Sequence, residues 1–259
     1  MIQINGLAAN QINQSALSRA ERAILQALQE SPIVYHYDSL NALLFELRMR
    51  SHIVAAARKL YQSNAGFATF KNTRGNNNYW TRTEQGGLRQ NEGVLTSDAI
   101  NDIFENGELY AFECATAMVI IFYKAFLDTV GPDVFNAYFR HLLLYDWQYD
   151  NNLRLISVNN HNQAIPGDIF YFKNPEHDPQ TPEWQGENAI MLAENQFFGH
   201  GIGIKTAEQM IEELNSRRIP GSQVSAYLTD EVVYPDFEYL RSLRQPIIAR
   251  IGARFIYLR

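Results

Sequence analysis

The stretch Tyr110-Ala111-Phe112-Glu113-Cys114-Ala115-Thr116-Ala117-Met118-Val119-Ile120-Ile121-Phe122-Tyr123 carries the only cysteine of the chain at the mouth of its most apolar run. From about Ala115 to Thr129 the residues are apolar nearly all round, which predicts a helix central to the core. The most apolar run, Ala115 to Tyr123, is far shorter than the roughly 20 apolar residues that span a bilayer, so it reads as a buried helix rather than a membrane segment. Cys114 stands where a loop following Asn106-Gly107 enters that helix. Unpaired N–H groups and a partial positive charge at a helix start favour a thiolate over a thiol. The same N–H groups would hold an oxyanion when a carbonyl is attacked. The opposite reading is an inert thiol, because free cysteine is among the most buried residue types.

Working outward, Asp38-Ser39 forms a plausible cap before Leu40, Leu43, Leu44, Leu47, Val54 and Tyr61, the spacing of one helix face. A second amphipathic helix is expected from about Ala16 to Glu30, through Leu17, Ile24, Leu25 and Leu28. Phe67 to Phe70 and Tyr79 to Thr81 flank Arg74-Gly75-Asn76-Asn77, which reads as a hairpin or an aromatic-edged loop. A short helix is predicted after Ser97, with Gly107 as its terminator. Beyond Pro166-Gly167 short apolar or alternating runs predict strands at 168–172, 188–192, 197–204 and 225–233, with a helix over 206–215. Helices first and a mostly antiparallel sheet later give an α+β fold. No repeat or Gly/Pro/Ser-rich linker divides the 259 residues, so one domain is expected over 1–259, with a helical extension at 1–34 and a further extension at 244–259.

A cysteine nucleophile needs a proton acceptor and often a group to orient it. Of six histidines, His36, His52 and His141 sit beside charged neighbours and read as surface residues, while His161 and His177 fall in polar loops. His200 differs, lying in Gly199-His200-Gly201-Ile202-Gly203 on a predicted strand. Glycines there permit a close backbone approach or a bulge that aims the imidazole; the plain alternative is a histidine at a hairpin edge. Glu187, at the start of a predicted strand, and Glu113, beside the cysteine, are the carboxylates able to hold an imidazole or take a proton, though a strand-start glutamate is ordinarily just solvated.

The totals exclude several classes. Hydrophobic residues make up 46% and charged residues 19%, as in an ordinary folded globular chain rather than a disordered one. A net charge of −6 gives no reason to expect nucleic acid. One cysteine permits no intramolecular disulfide, and the start Met1-Ile2-Gln3-Ile4-Asn5 lacks the pattern of a signal peptide, so an intracellular folding compartment is expected. The histidines lack tight ligand spacing and no acidic loop has EF-hand form, so neither a metal nor a cofactor is expected.

Tyr-Ala-Phe-Glu-Cys-Ala-Thr-Ala (110–117), Leu-Tyr-Asp-Trp (144–147), Tyr-Phe-Lys-Asn-Pro-Glu (171–176), Trp-Gln-Gly-Glu-Asn (184–188) and Gly-His-Gly-Ile-Gly (199–203) resemble, in their order and spacing, the bacterial spore-coat protein-glutamine γ-glutamyltransferases. Phe-Glu-Leu-Arg-Met-Arg with Ile-Val-Ala-Ala-Ala (45–57) and Phe-Ala-Thr-Phe (67–70) are similar to earlier segments of that family. The resemblance runs from about Tyr35 to Leu228 and departs at the ends and over 151–163. It implies a papain-like core of the NlpC type and calcium-independent joining of glutamine to lysine side chains. It further implies protein substrates of the spore coat, with synthesis in the mother-cell cytoplasm and deposition in the coat, and no membrane partner. By motif it implies Cys114 as nucleophile, Glu187 and His200 as its partners, Glu113 as an alternative acid or base, and Phe67, Trp147 and Trp184 along the substrate channel. Two rival readings stand beside it: a cysteine peptidase or amidase of the same fold, and a structural coat protein with an inert Cys114.

Overall fold

A computed structural model of the chain describes residues 1–5, 12–243, 247–251 and 254–258. Strand β1 (Ile2–Ile4) pairs in parallel with β2 (Tyr35–Tyr37), and α1 (Arg19–Glu30) lies between them in sequence. The expected helix from Ala16 starts later because Ser18 closes a capping box with Glu21, and Leu17 before it is extended. Ile2, Ile4, Ile12 and Leu17 share one buried cluster with Leu25, Leu28, Leu43 and Leu47. The first 34 residues therefore contain a strand as well as the expected helix, and their apolar side chains are shared with α2 (Leu40–Gln62), which Ser39 caps.

Next come β3 (Gly66–Phe67), β4 (Trp80–Arg82), β5 (Leu88–Gln90), α3 (Thr96–Glu105) and β6 (Ala111–Phe112). Of the two readings for the stretch around Arg74-Gly75-Asn76-Asn77, the loop is the one observed. β3 pairs in parallel with β6, while β4 turns back on β5 through Thr83–Gly87. Gly86 sits at φ 94° there, and a Cβ would collide with the Phe70 carbonyl. The helix predicted after Ser97 begins at Thr96 and is capped at its far end by Asn106. Gly107 is small for a different reason from the one expected: its Cα lies against the Ser63 carbonyl at the end of α2.

Helix α4 (Cys114–Val130) follows, and every residue from Ala115 to Leu127 is buried, as its composition requires. It packs along α2, while α5 (Pro132–Tyr138) and β7 (Leu143–Leu144), paired with β5, cover its far end. His52, expected at the surface, is half-buried, with Nδ1 2.8 Å from Thr129 Oγ1 on α4.

The remaining chain builds the sheet from β8 (Leu155–Asn159), β9 (Ile169–Lys173), β10 (Gly186–Ala193), β11 (Gln196–Gly199), β12 (Gly203–Lys205) and β13 (Tyr227–Pro235). Its order is β12-β11-β10-β9-β13-β8, antiparallel throughout, so the α+β fold expected from the sequence is the one observed. β8 lies in a segment for which no strand was predicted. The run 197–204 is two strands joined at His200–Ile202. Alternation sets the two faces. Ile169, Ile190, Leu192 and Phe198 pack toward α4 and α2, and Phe170, Phe172, Ala189 and Phe197 pack with Met210 and Leu214 of α6 (Ala207–Asn215). A cysteine at the start of a buried helix packed on an antiparallel sheet is the arrangement of a papain-like core.

Helix α7 (Phe237–Ser242) lays Phe237 over Arg50, whose guanidinium carbon is 4.6 Å from the ring centroid. Arg50 donates to Glu46 at 2.7 Å and to Asp168 at 2.5 Å, joining α2 to the start of β9. In the expected C-terminal extension, β14 (Ile247–Ile251) and β15 (Arg254–Leu258) pair as an antiparallel hairpin, and 244–246, 252–253 and 259 lie outside the described residues.

Candidate active site

Cys114 is the first residue of α4, and its sulfur opens on a cleft of about 750 Å³ between the helix start and the sheet. Phe67, Phe70, Trp147 and Tyr149 line one side, with Tyr171, Gln185, Gly186 and Asn188 on the other. Phe67 reaches the cleft because β3 docks on β6, two residues before the cysteine. Leu155 and Ile169 line the cleft as well. Trp184 stands behind Phe67, ring centroids 5.4 Å apart, with the Arg217 guanidinium 3.4 Å above it.

Glu113 is the N-cap of α4. Its carboxylate accepts from Ala115 N at 2.8 Å, Thr116 N at 2.6 Å and Thr116 Oγ1 at 2.7 Å. Those bonds use the Ala115 and Thr116 N–H groups of the first turn and put a negative charge at the positive end of the helix. That charge opposes the pull of the helix start on Cys114 toward the thiolate. Burial, then Glu187 and then Glu113 raise the thiol well above its ordinary value, opposed by the amides of Asn188.

Glu187 is fully buried. By alternation it belongs to the α6 face, and its side chain lies across Gly199, where a Cβ would sit 2.7 Å from Glu187 Cγ. One carboxylate oxygen accepts the Gly201 N–H at 3.0 Å, and the other, Oε2, has no hydrogen-bond partner among the described residues. Burial pushes this carboxyl up to about 8, and Glu113 adds to the rise. The glycines at 199 and 201 thus make room for a carboxyl, a role that the sequence reading had given to substrate approach or to aiming the histidine.

His200 follows β11 in a turn rather than standing within a strand. Its ring stacks on Phe112, centroids 4.8 Å apart, and Nε2 is 3.0 Å from the Gly66 carbonyl. Burial pushes its pKa down to about 4, so the imidazole is neutral at physiological pH. These contacts tie the β11–β12 turn to the β3–β6 pair. Asn188 was missed by the sequence reading: its Nδ2 lies 3.4 Å from Cys114 Sγ. Tyr171, its cross-strand neighbour, was missed as a cleft residue too. The available signal was an asparagine beside Glu187 at the start of a strand whose later residues are apolar, where its type is disfavoured.

A thiol on an aromatic cleft, with a buried carboxyl and the Asn188 amide near it, is an arrangement able to carry acyl transfer. The family model for protein-glutamine gamma-glutamyltransferase matches residues 1–244. This chain belongs to that family. It is similar to the protein-glutamine gamma-glutamyltransferase of Bacillus licheniformis, 45% identical over 93% of this chain and 98% of the relative. The Bacillus subtilis relative of that name is 47% identical over 82% of this chain and 86% of its own length. Among solved structures, the transglutaminase of Geobacillus stearothermophilus without its C-terminal extension superposes with a TM-score of 0.76 at 48% identity, over 83% of this chain and all of that one.

Proposed function

We propose that this protein joins the γ-carboxamide of a protein-bound glutamine to a lysine ε-amine through a thioester on Cys114. The observation that carries the reading is the placing of Cys114 at a helix start on the wall of an aromatic cleft, within electrostatic reach of the buried Glu187 carboxyl, which rises to about 8. In its ionised form Glu187 takes the thiol proton, and the thiolate adds to the carboxamide carbon. The carbon–nitrogen bond then breaks, and the Glu187 proton leaves with ammonia. A neutral lysine amine adds to the thioester, gives a proton to Glu187, and the sulfur departs and takes that proton back. A group poised near 8 suits both halves of this cycle.

Glu113 caps the helix in this scheme, and His200 holds β3 and so Phe67. Water competes with lysine for the thioester, and the rings of Phe67, Phe70 and Trp147 exclude it while leaving room for apolar side-chain stems. The resemblance in sequence extends the proposal to spore-coat proteins as substrates, to synthesis in the mother cell and to activity without calcium.

The test is incorporation of a labelled primary amine into a glutamine-containing protein, with chelator present, by the parent protein and by Cys114→Ala. Incorporation by the parent alone is expected. Equal labelling by both proteins, or ammonia release with no amine incorporated, would overturn the assignment; the second outcome identifies a hydrolase.

A further inference from the structure

Asn188 lies on β10 opposite Tyr171, on the sheet face that meets α4, and is 8% exposed. Its side-chain amide nitrogen is 3.4 Å from Cys114 Sγ, within the range of a hydrogen bond to sulfur. A buried amide needs a partner, and this one is directed at a reacting atom. Cysteine nucleophiles are ordinarily ionised by a cationic neighbour or an unopposed helix start. Here the helix start carries Glu113, and the nearby imidazole is neutral and bonded to Gly66. The groups around the sulfur that push toward the thiol are burial, Glu187 and Glu113, and Asn188 pushes the other way, through its backbone N–H first and its side-chain amide second.

We propose that Asn188 is a catalytic residue of this site, its side-chain N–H holding the Cys114 sulfur as a thiolate at attack and again at departure. The chemistry rests on the acyl-transfer reading above. As Glu187 takes the thiol proton, the charge left on sulfur accepts the amide N–H. When the sulfur–carbon bond forms, that charge passes to the carboxamide oxygen and the N–H···S bond weakens. On collapse of the second tetrahedral adduct the electron pair returns to sulfur and the bond reforms. An amide does this without placing a fixed cation in the cleft that a lysine ammonium approaches.

The experiment uses the full chain and follows alkylation of Cys114 by iodoacetamide across pH for the parent, Asn188→Ala and Asn188→Asp, beside amine incorporation. Both variants are expected to shift the alkylation profile to higher pH, Asp further than Ala because a carboxylate cannot donate and repels the thiolate. Alkylation at neutral pH should slow about tenfold or more, as the thiolate fraction falls. Amine incorporation should lose kcat in similar measure, with KM for the amine little changed. A folded variant of either kind whose profile overlays the parent's would overturn the proposal, since a packing role predicts that overlay. Near-UV circular dichroism reports folding, so one folded variant suffices. Failure of the parent to incorporate amine would count against the functional reading, and the alkylation comparison would still decide the role of Asn188.

Discussion

Arg50 and Glu187 are both buried ionisable side chains, yet their surroundings are built on opposite terms. Around Arg50 the charges close on one another. Glu46 and Asp168 receive its N–H groups, the second oxygen of Asp168 accepts Ile165 N at 2.9 Å, and Phe237 covers the guanidinium. Against the opposing pull of burial, Asp168 and Glu46 hold Arg50 firmly protonated. Around Glu187 the account is left open. One oxygen accepts a single backbone N–H, the other has no partner among the described residues, and the carboxyl rises to about 8. A closed network joins elements together, while an open one leaves a group ready to exchange a proton.

Glu187→Gln should break the comparison most sharply. Amine incorporation is expected to fall about 10²- to 10⁴-fold, the range for a general acid–base residue, and to lose the rise through about pH 8 that Glu187 ionisation gives the parent. Its effect on stability has a defined sign. A carboxyl with a raised folded pKa holds its proton more tightly folded than unfolded, so the parent loses stability as pH climbs from the ordinary carboxylate range to about 8. Urea unfolding of the glutamine variant should lack that slope. Parent-like rates at all pH values would remove Glu187 from the chemistry.

Arg50→Ala tests the other side. It leaves Glu46 and Asp168 buried without their cation and should cost about 3–5 kcal/mol in denaturant unfolding. The alkylation pH profile of Cys114 should stay where it was in the folded variant. A shifted profile with little loss of stability would mean that the two networks are coupled. The smallest effect is expected from Gly199→Ala, whose methyl would press on Glu187 Cγ and Oε1. Overpacking there should cost about 1–3 kcal/mol and displace the carboxyl, lowering amine incorporation while sparing Arg50 and its partners. If the variant matched the parent in melting temperature and rate, the glycine would not be reserved for the carboxyl.

Much of the architecture was legible in local chemistry. Ser39 caps α2 and Thr206 caps α6 where helix starts were expected, and the apolar run after Cys114 forms the central helix. The strands at 168–172 and 188–192 match β9 and β10 closely, because alternation and turn residues are local signals. β8 escaped because its residues are mostly half-exposed, with no strong alternation before it pairs with β13. The loop at 68–79 was ambiguous because its aromatic edges pair with other partners: β3 with β6, and β4 with β5.

The sequence proposes a set of site residues, and the structure shows how each is bonded. Cys114, Glu113, Glu187 and His200 were all marked from sequence, yet hydrogen-bond geometry separates them. Glu113 is occupied by the first turn of α4, His200 by the Gly66 carbonyl, and only Glu187 keeps an unpartnered oxygen among these carboxylates and rings. Asn188 went unseen because a polar strand residue gains meaning only from what faces it across the fold.

The sequence alone marked the long helices and the strands at 168–172 and 188–192, and a single thiol at the entrance of a buried helix. Capping, periodicity and composition act within a few residues and can be read along the chain. Protonation states were decided by tertiary structure, because burial and through-space charge set them. The thiol and the carboxyl rise and the imidazole falls because α4, β10 and the β11–β12 turn enclose them together, at distances no spacing along the chain records.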